Sequence, residues 1–92
     1  MNLLITNNHP MKHIIKSVNP SFEDMLSGQK NFEILLDEKG TKYKLLDILI
    51  FHEYDYRMQK TGRVIEREIA YIYTPDFLLA GFIIVRFTDQ DS

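Results

Sequence analysis

The chain has no cysteine, which excludes both a disulfide framework and a thiolate zinc site. No apolar run approaches the ~18 residues that cross a bilayer. Met1 to Pro10 lacks the charged start and long apolar centre of a secretory signal. Cytoplasmic residence is therefore the default expectation. An excess of positive charge is missing too, with 11 basic against 13 acidic residues and a net charge of -2. A protein held to a duplex by phosphate neutralisation alone carries a clear basic surplus. The balance argues against a sequence-blind duplex binder and leaves room for a small groove of local positive charge. There is no internal repeat and no low-complexity tract. The 45% hydrophobic fraction over 92 residues fits one globular domain with a single modest core.

The richest stretch runs from Asn19 to Ile34, NPSFEDMLSGQKNFEI. Pro20 suits the first turn of a helix, where its missing N–H has no partner in any case. Asn19 before it is a capping residue, and Glu23 and Asp24 set negative charge against the positive end of the helix dipole. Phe22, Met25 and Leu26 fall at i, i+3 and i+4 and make one apolar face. Gly28 supplies the left-handed residue that ends the helix. A helix over Asn19 to Ser27 is expected, followed by a strand over Lys30 to Leu36 and a polar turn at Asp37-Glu38-Lys39-Gly40.

The other strands follow from apolar patterning. His13 to Val18 alternates, and Leu45 to Tyr56 is the longest candidate. Lys60-Thr61-Gly62 reads as a hairpin connection into Val64 to Tyr73, where Ile65, Ile69, Tyr71 and Tyr73 share a face interrupted by Arg67. Thr74-Pro75-Asp76 opens a single turn carrying Phe77, Leu78 and Leu79, and Gly81 leads into Phe82 to Phe87. The expected layout is an N-terminal arm over 1–12, a domain over 13–88 and a polar tail over 89–92. Its fold class is mainly β (α+β), about five strands with one short helix. Strands so apolar on both faces suit a small barrel, which removes exposed edges.

With these elements placed, the sequence resembles the ASCH domains of the PUA-like superfamily, and more closely their short bacterial and phage branch. The hallmark is G-x-K-x-x-E-x-R after a short helix. Gly28, Lys30 and Glu33 match it, and Leu35 stands where arginine is expected. His13 and Lys16 match a His-x-x-Lys on the first strand, and Pro20 and Phe22 a Pro-x-Phe helix start. Asp47 fits an aspartate opening the long strand, followed by Glu53, Tyr54 and Asp55, by Thr61-Gly62-Arg63, and by Gly81-Phe82. The resemblance covers His13 to Phe87. It implies a PUA-like barrel that binds RNA or a modified nucleotide in the cleft beside the helix. Some small members resemble amidohydrolases of acylated cytidine nucleosides and others ribonucleases. A hydrolase here would use Lys30 and Glu33, although the amidohydrolase type's nucleophilic threonine would fall at Glu33.

The residues themselves give Lys30 and Glu33 first place. A lysine beside a partly buried carboxylate anchors phosphate, acts as a base, or forms a structural ion pair. In a regular strand, positions three apart point to opposite faces, so the two meet only if Lys30 belongs to the turn after Gly28. Glu33 shares a face with Leu35 and needs a partner, for which Lys16, Arg67 and Arg86 are available. The expected ligand-binding set is Lys16, Lys30, Glu33, Arg86 and His13. His9, His13 and His52 lack the spacing of metal ligands, and neither a metal site nor a cofactor is expected. Glu53 and Asp55 share a strand face and read as acid–base or cation groups or, more simply, as a solvated surface. Arg57, Lys60, Arg63 and Arg67 are the one local basic concentration, diluted by Glu66 and Glu68. Among Tyr54, Tyr56, Tyr71, Tyr73, Phe77 and Phe82, only Tyr56 and Phe77 are expected to stand free for base stacking, the rest building the core or its ends. Two readings of different class result, a nucleotide-binding module and a small hydrolase, with a protein-interaction domain as a third.

Overall fold

In a computed structural model, which describes residues 9–76 and 80–89, the longest element is β4 (Lys60–Tyr73), a 14-residue strand that joins two halves of one sheet. Its first half pairs antiparallel with β3 (Ile48–Tyr54), and β3 pairs parallel with β1 (Lys12–Val18). Its second half pairs antiparallel with β5 (Phe82–Phe87), and β5 with β2 (Phe32–Leu36). Among the described residues the order is β1-β3-β4-β5-β2, a mainly β fold of five strands with one helix, α1 (Ser21–Ser27). The sheet is open among the described residues: β1 and β2 are its edges and do not pair with each other. The reason lies in the helix. Phe22 and Met25 of α1 are fully buried in the core formed by Leu49, Phe51, Ile65, Ile69, Val85 and Phe87. Arg63 and Arg67 of β4 both reach the helix, so α1 lies over the inner face of the sheet and fills the space that closure would need.

The helix starts at Ser21, two residues later than the expected Asn19, yet Asn19 still satisfies it. The Asn19 Oδ1 accepts the Glu23 amide at 3.0 Å, and the side-chain amide donates to Glu53 Oε2 at 2.9 Å. Gly28, at φ 88°, closes the helix with its amide on the Met25 carbonyl. The chain does not enter β2 until Phe32, so Lys30 stays in the connecting turn.

Two departures from strict alternation shape the sheet. The expected hairpin at Lys60-Thr61-Gly62 is not the turn. The chain reverses at 55–59, where Asp55 Oδ1 accepts the Arg57 and Gln59 amides at 2.8 and 3.0 Å, and Gly62 (φ 94°) sits within β4 where the register shifts. The second bulge lies at Ala70. Ile69 faces Phe87 and Tyr71 faces Arg86, which leaves Ala70 unopposed. One extra residue inverts every side chain after it. Ile65, Arg67 and Ile69 therefore point inward, while Tyr71 and Tyr73 leave that face and stand half exposed on the outside. The expected single face ends at the bulge.

β3 is shorter than expected, because Leu45 and Leu46 belong to a loop held by Asp47. That buried carboxylate accepts the Met11 amide at 3.0 Å and the Lys44 amide at 3.1 Å, and Leu46 takes a positive φ beside it. Asp37 ties the preceding loop in the same way. Burial alone would push its carboxyl up, but the amides of Lys42, Tyr43, Thr41 and Gly40 outweigh it and hold the group below its usual range. Among the described residues no helix is long and apolar enough to cross a membrane. Phe77, Leu78 and Leu79 lie outside the described residues.

Candidate functional site

Lys30 and Glu33 do meet. Because Lys30 sits in the turn rather than the strand, its ammonium donates to Glu33 Oε1 at 3.2 Å and to Ser21 Oγ of α1 at 2.7 Å. The partner of Glu33 is thus Lys30, not Lys16, Arg67 or Arg86, and Glu33 also accepts the Ile34 amide at 2.9 Å. Leu35, in the place of the hallmark arginine, is a buried core residue packed with Ile83 and Val85. No cation is lost from the surface by this exchange, because the position faces the interior.

Beside Lys30 opens a cleft of about 270 Å³, between the end of α1 and the β4–β5 pair. Lys30 and Asn31 line it from the turn, Arg67 from β4, and Phe87, Thr88 and Asp89 from the end of β5. Arg67 anchors there by donating to the Met25 carbonyl at 3.0 Å and to the Glu66 carbonyl at 2.8 Å. These bonds engage two of the five donors of a guanidinium. The helix ends at this point, so Arg67 also offsets the partial negative charge of the last carbonyls. Arg67 is the cleft residue absent from the expected binding set. The signal was its interruption of an apolar face, a cation placed where only burial or a site explains it.

The remaining expected residues separate. His13 faces inward on β1, its Nε2 2.9 Å from Asp47 Oδ2 and its ring 4.6 Å from that of Tyr43. It is part of the clasp that holds Asp47, away from the cleft. Lys16, three residues on, points to the outer face, where its ammonium lies 5.0 Å from the Tyr54 ring centroid. Arg86 is exposed on the outer face of β5, opposite Phe32 and Tyr71. The expected set therefore divides three ways, with Lys30 alone on the cleft wall.

Glu53 and Asp55 do not act as a pair. Glu53 is buried, whereas Asp55 belongs to the hairpin turn. Arg63 donates Nε to Glu53 Oε1 at 2.9 Å and Nη2 to Oε2 at 2.8 Å, Thr61 Oγ1 donates at 2.6 Å, and Asn19 completes the shell. Arg63 also pairs with Glu23 of the helix. The Arg63 hydrogen bonds come first in holding the Glu53 carboxyl down at about 2, followed by that of Thr61, against burial. The same bonds raise the Arg63 guanidinium. Every carboxylate oxygen is thereby committed, so this cluster fastens hairpin to helix. The basic concentration read in the sequence dissolves for the same reason: Arg63 and Arg67 turn inward, while Glu66 and Glu68 do not.

Residues 12–87 match the family described as a domain of unknown function, DUF3850, and the chain belongs to that family. No curated protein matches the chain.

Proposed function

We propose that this chain is a cytoplasmic RNA- or nucleotide-binding module of the ASCH/PUA-like type, with its ligand in the cleft beside α1. One observation carries the reading: Lys30 and Arg67, from different elements, meet on a single small concavity with Asn31 and Thr88 beside them. Two cations suit a phosphate or an electron-rich base edge, and the neighbouring amide and hydroxyl supply adaptable hydrogen bonds. A cleft of about 270 Å³ lies just below the usual size of ligand sites and suits at most one nucleotide. Asp89, on the same wall, is an acceptor for a ribose hydroxyl or an exocyclic amine. The overall negative charge is compatible with this, since the positive charge needed is local. The order of ASCH-like motifs from His13 to Phe87 supports the same reading.

Titration of isotope-labelled protein with short single-stranded RNAs and with nucleoside monophosphates, at low and moderate salt, tests it. Amide shifts centred on Lys30, Asn31, Arg67 and Thr88 are expected, weakening as salt rises. A spectrum unmoved by either ligand at low salt ends the reading.

A second reading, a small nucleoside amidohydrolase or ribonuclease, is favoured by the contact of Lys30 with both Ser21 and Glu33. There Lys30 acts as base or electrostatic stabiliser and Glu33 as its acid–base partner. The binding reading comes first because Lys30 shares its cleft with a second cation, Arg67. Turnover of an acylated cytidine or of RNA that disappears in a folded Lys30→Ala variant would reverse that order.

A further inference from the structure

Past the Ala70 bulge, the outer face of the sheet is built from large apolar and aromatic side chains. The registers set them in rows: Phe32, Arg86 and Tyr71 lie side by side across β2, β5 and β4, with Ile34, Ile84 and Tyr73 in the next row. Tyr71 is 54% exposed, Tyr73 47% and Phe32 40%, values far from those of core residues. The two tyrosine rings run nearly parallel, 6.5 Å apart with 29° between their planes. The six positions of the two rows include one formal charge, Arg86, and no carboxylate. Glu68, at the margin, accepts the Thr88 hydroxyl at 2.8 Å. Lys30 joins this face to the cleft: it lines the cleft wall, and its ammonium lies 5.4 Å from the Phe32 ring centroid.

We propose that this face is a stacking platform for the unpaired bases of a single RNA strand that leaves the cleft across Phe32. Tyr71, Tyr73 and Phe32 offer π-faces to the bases, and Arg86 and Lys30 hold the phosphates between them. The inference rests on the nucleotide-binding reading of the cleft and extends it from one nucleotide to several. Two features favour a nucleic-acid strand over a protein. The face is continuous with the cleft through Lys30. Its charge is of the sign that phosphate requires. Stacking tolerates any base, so the platform adds affinity with length and little sequence preference.

Anisotropy titrations with uridine monophosphate as competitor and a labelled hexauridylate as probe separate the two levels of the argument. Wild type is expected to bind the hexamer more tightly than the monophosphate. Tyr71→Thr and Tyr73→Thr keep β propensity at exposed positions, and dispersed amide spectra verify their fold. Each is expected to weaken hexamer binding about tenfold and leave monophosphate binding unchanged. Wild-type hexamer affinity in both variants, with cleft binding intact, overturns the platform and spares the cleft. No binding of either probe by wild type overturns both. A concentration-dependent dimer that these variants abolish and the hexamer does not dissociate assigns the face to a second copy of the chain, which also overturns the platform.

Discussion

Arg63 holds Glu53 as a fork holds a fork, Nε on one carboxylate oxygen at 2.9 Å and Nη2 on the other at 2.8 Å, while the same guanidinium pairs with Glu23 on the helix. Hairpin, central strand and helix are thus fastened at one planar group. Lysine has no such geometry, and Arg63→Lys is expected to lower the melting temperature almost as far as Arg63→Ala.

The pH dependence follows from the same contact. The Glu53 carboxyl is held at about 2 in the folded chain against a usual 4.5. A carboxyl depressed by folding contributes stability that is complete above its unfolded value and is lost as pH falls toward the folded one. Thermal melts of wild type should therefore lose stability between about pH 4.5 and 2. Glu53→Gln should be less stable at pH 7 and show a shallower loss over that window. Equal slopes for the two proteins would refute the assignment.

Asp47 is expected to be the costliest polar side chain to remove. It is fully buried, receives the Met11 and Lys44 amides and contacts His13. Asp47→Ala leaves those donors without an acceptor and should cost about 2–4 kcal/mol in denaturant titrations, the range for several orphaned buried groups. His13→Ala removes only one of the partners and should cost less.

Ser17 gives the opposite sign. Its hydroxyl is buried on β1 across from Glu53 and finds no hydrogen-bond partner among the described residues. Ser17→Ala removes an unsatisfied polar group for almost no change in shape, and a gain of about 1 kcal/mol is expected. A loss of similar size would reveal a bond the hydroxyl makes to solvent.

Leu35→Arg restores the ASCH-like hallmark and tests whether its absence matters. The position is buried among Ile83 and Val85, and Glu33, on the same face, already holds Lys30. Destabilisation of about 3 kcal/mol or more is expected, in the range of an uncompensated buried charge. A variant as stable as wild type would mean that Glu33 can exchange partners.

Strand and helix content was legible because it is local. Phe82 to Phe87 is bounded correctly, and the Asn19–Gly28 segment carries its own cap, apolar face and stop. The Lys30–Glu33 contact was legible as a condition on where the turn ends. The division of the site residues was not. His13 and Lys16 are three apart on a regular strand and so face opposite ways, a consequence available from spacing alone and outweighed by the motif they share. Arg67 and the burial of Glu53 depend on where the helix rests, which only the tertiary packing decides. The open sheet depends on the same packing.

Tyr71 and Tyr73 are the instructive case. Their alternation with Ile65 and Ile69 is correct in sequence and wrong in space, because nothing about an alanine announces a bulge.

Ala70 is therefore a spare letter in the strand. Ile69–Phe87 and Tyr71–Arg86 are neighbouring rungs of the ladder, so loss of that single codon would erase the bulge and leave the reading frames of both gene and sheet intact. Tyr71 and Tyr73 would stay outside and Ile72 inside, now in plain alternation with Ile69. Lineages that carry this fold can therefore lose the residue at the bulge without turning the outer face inward.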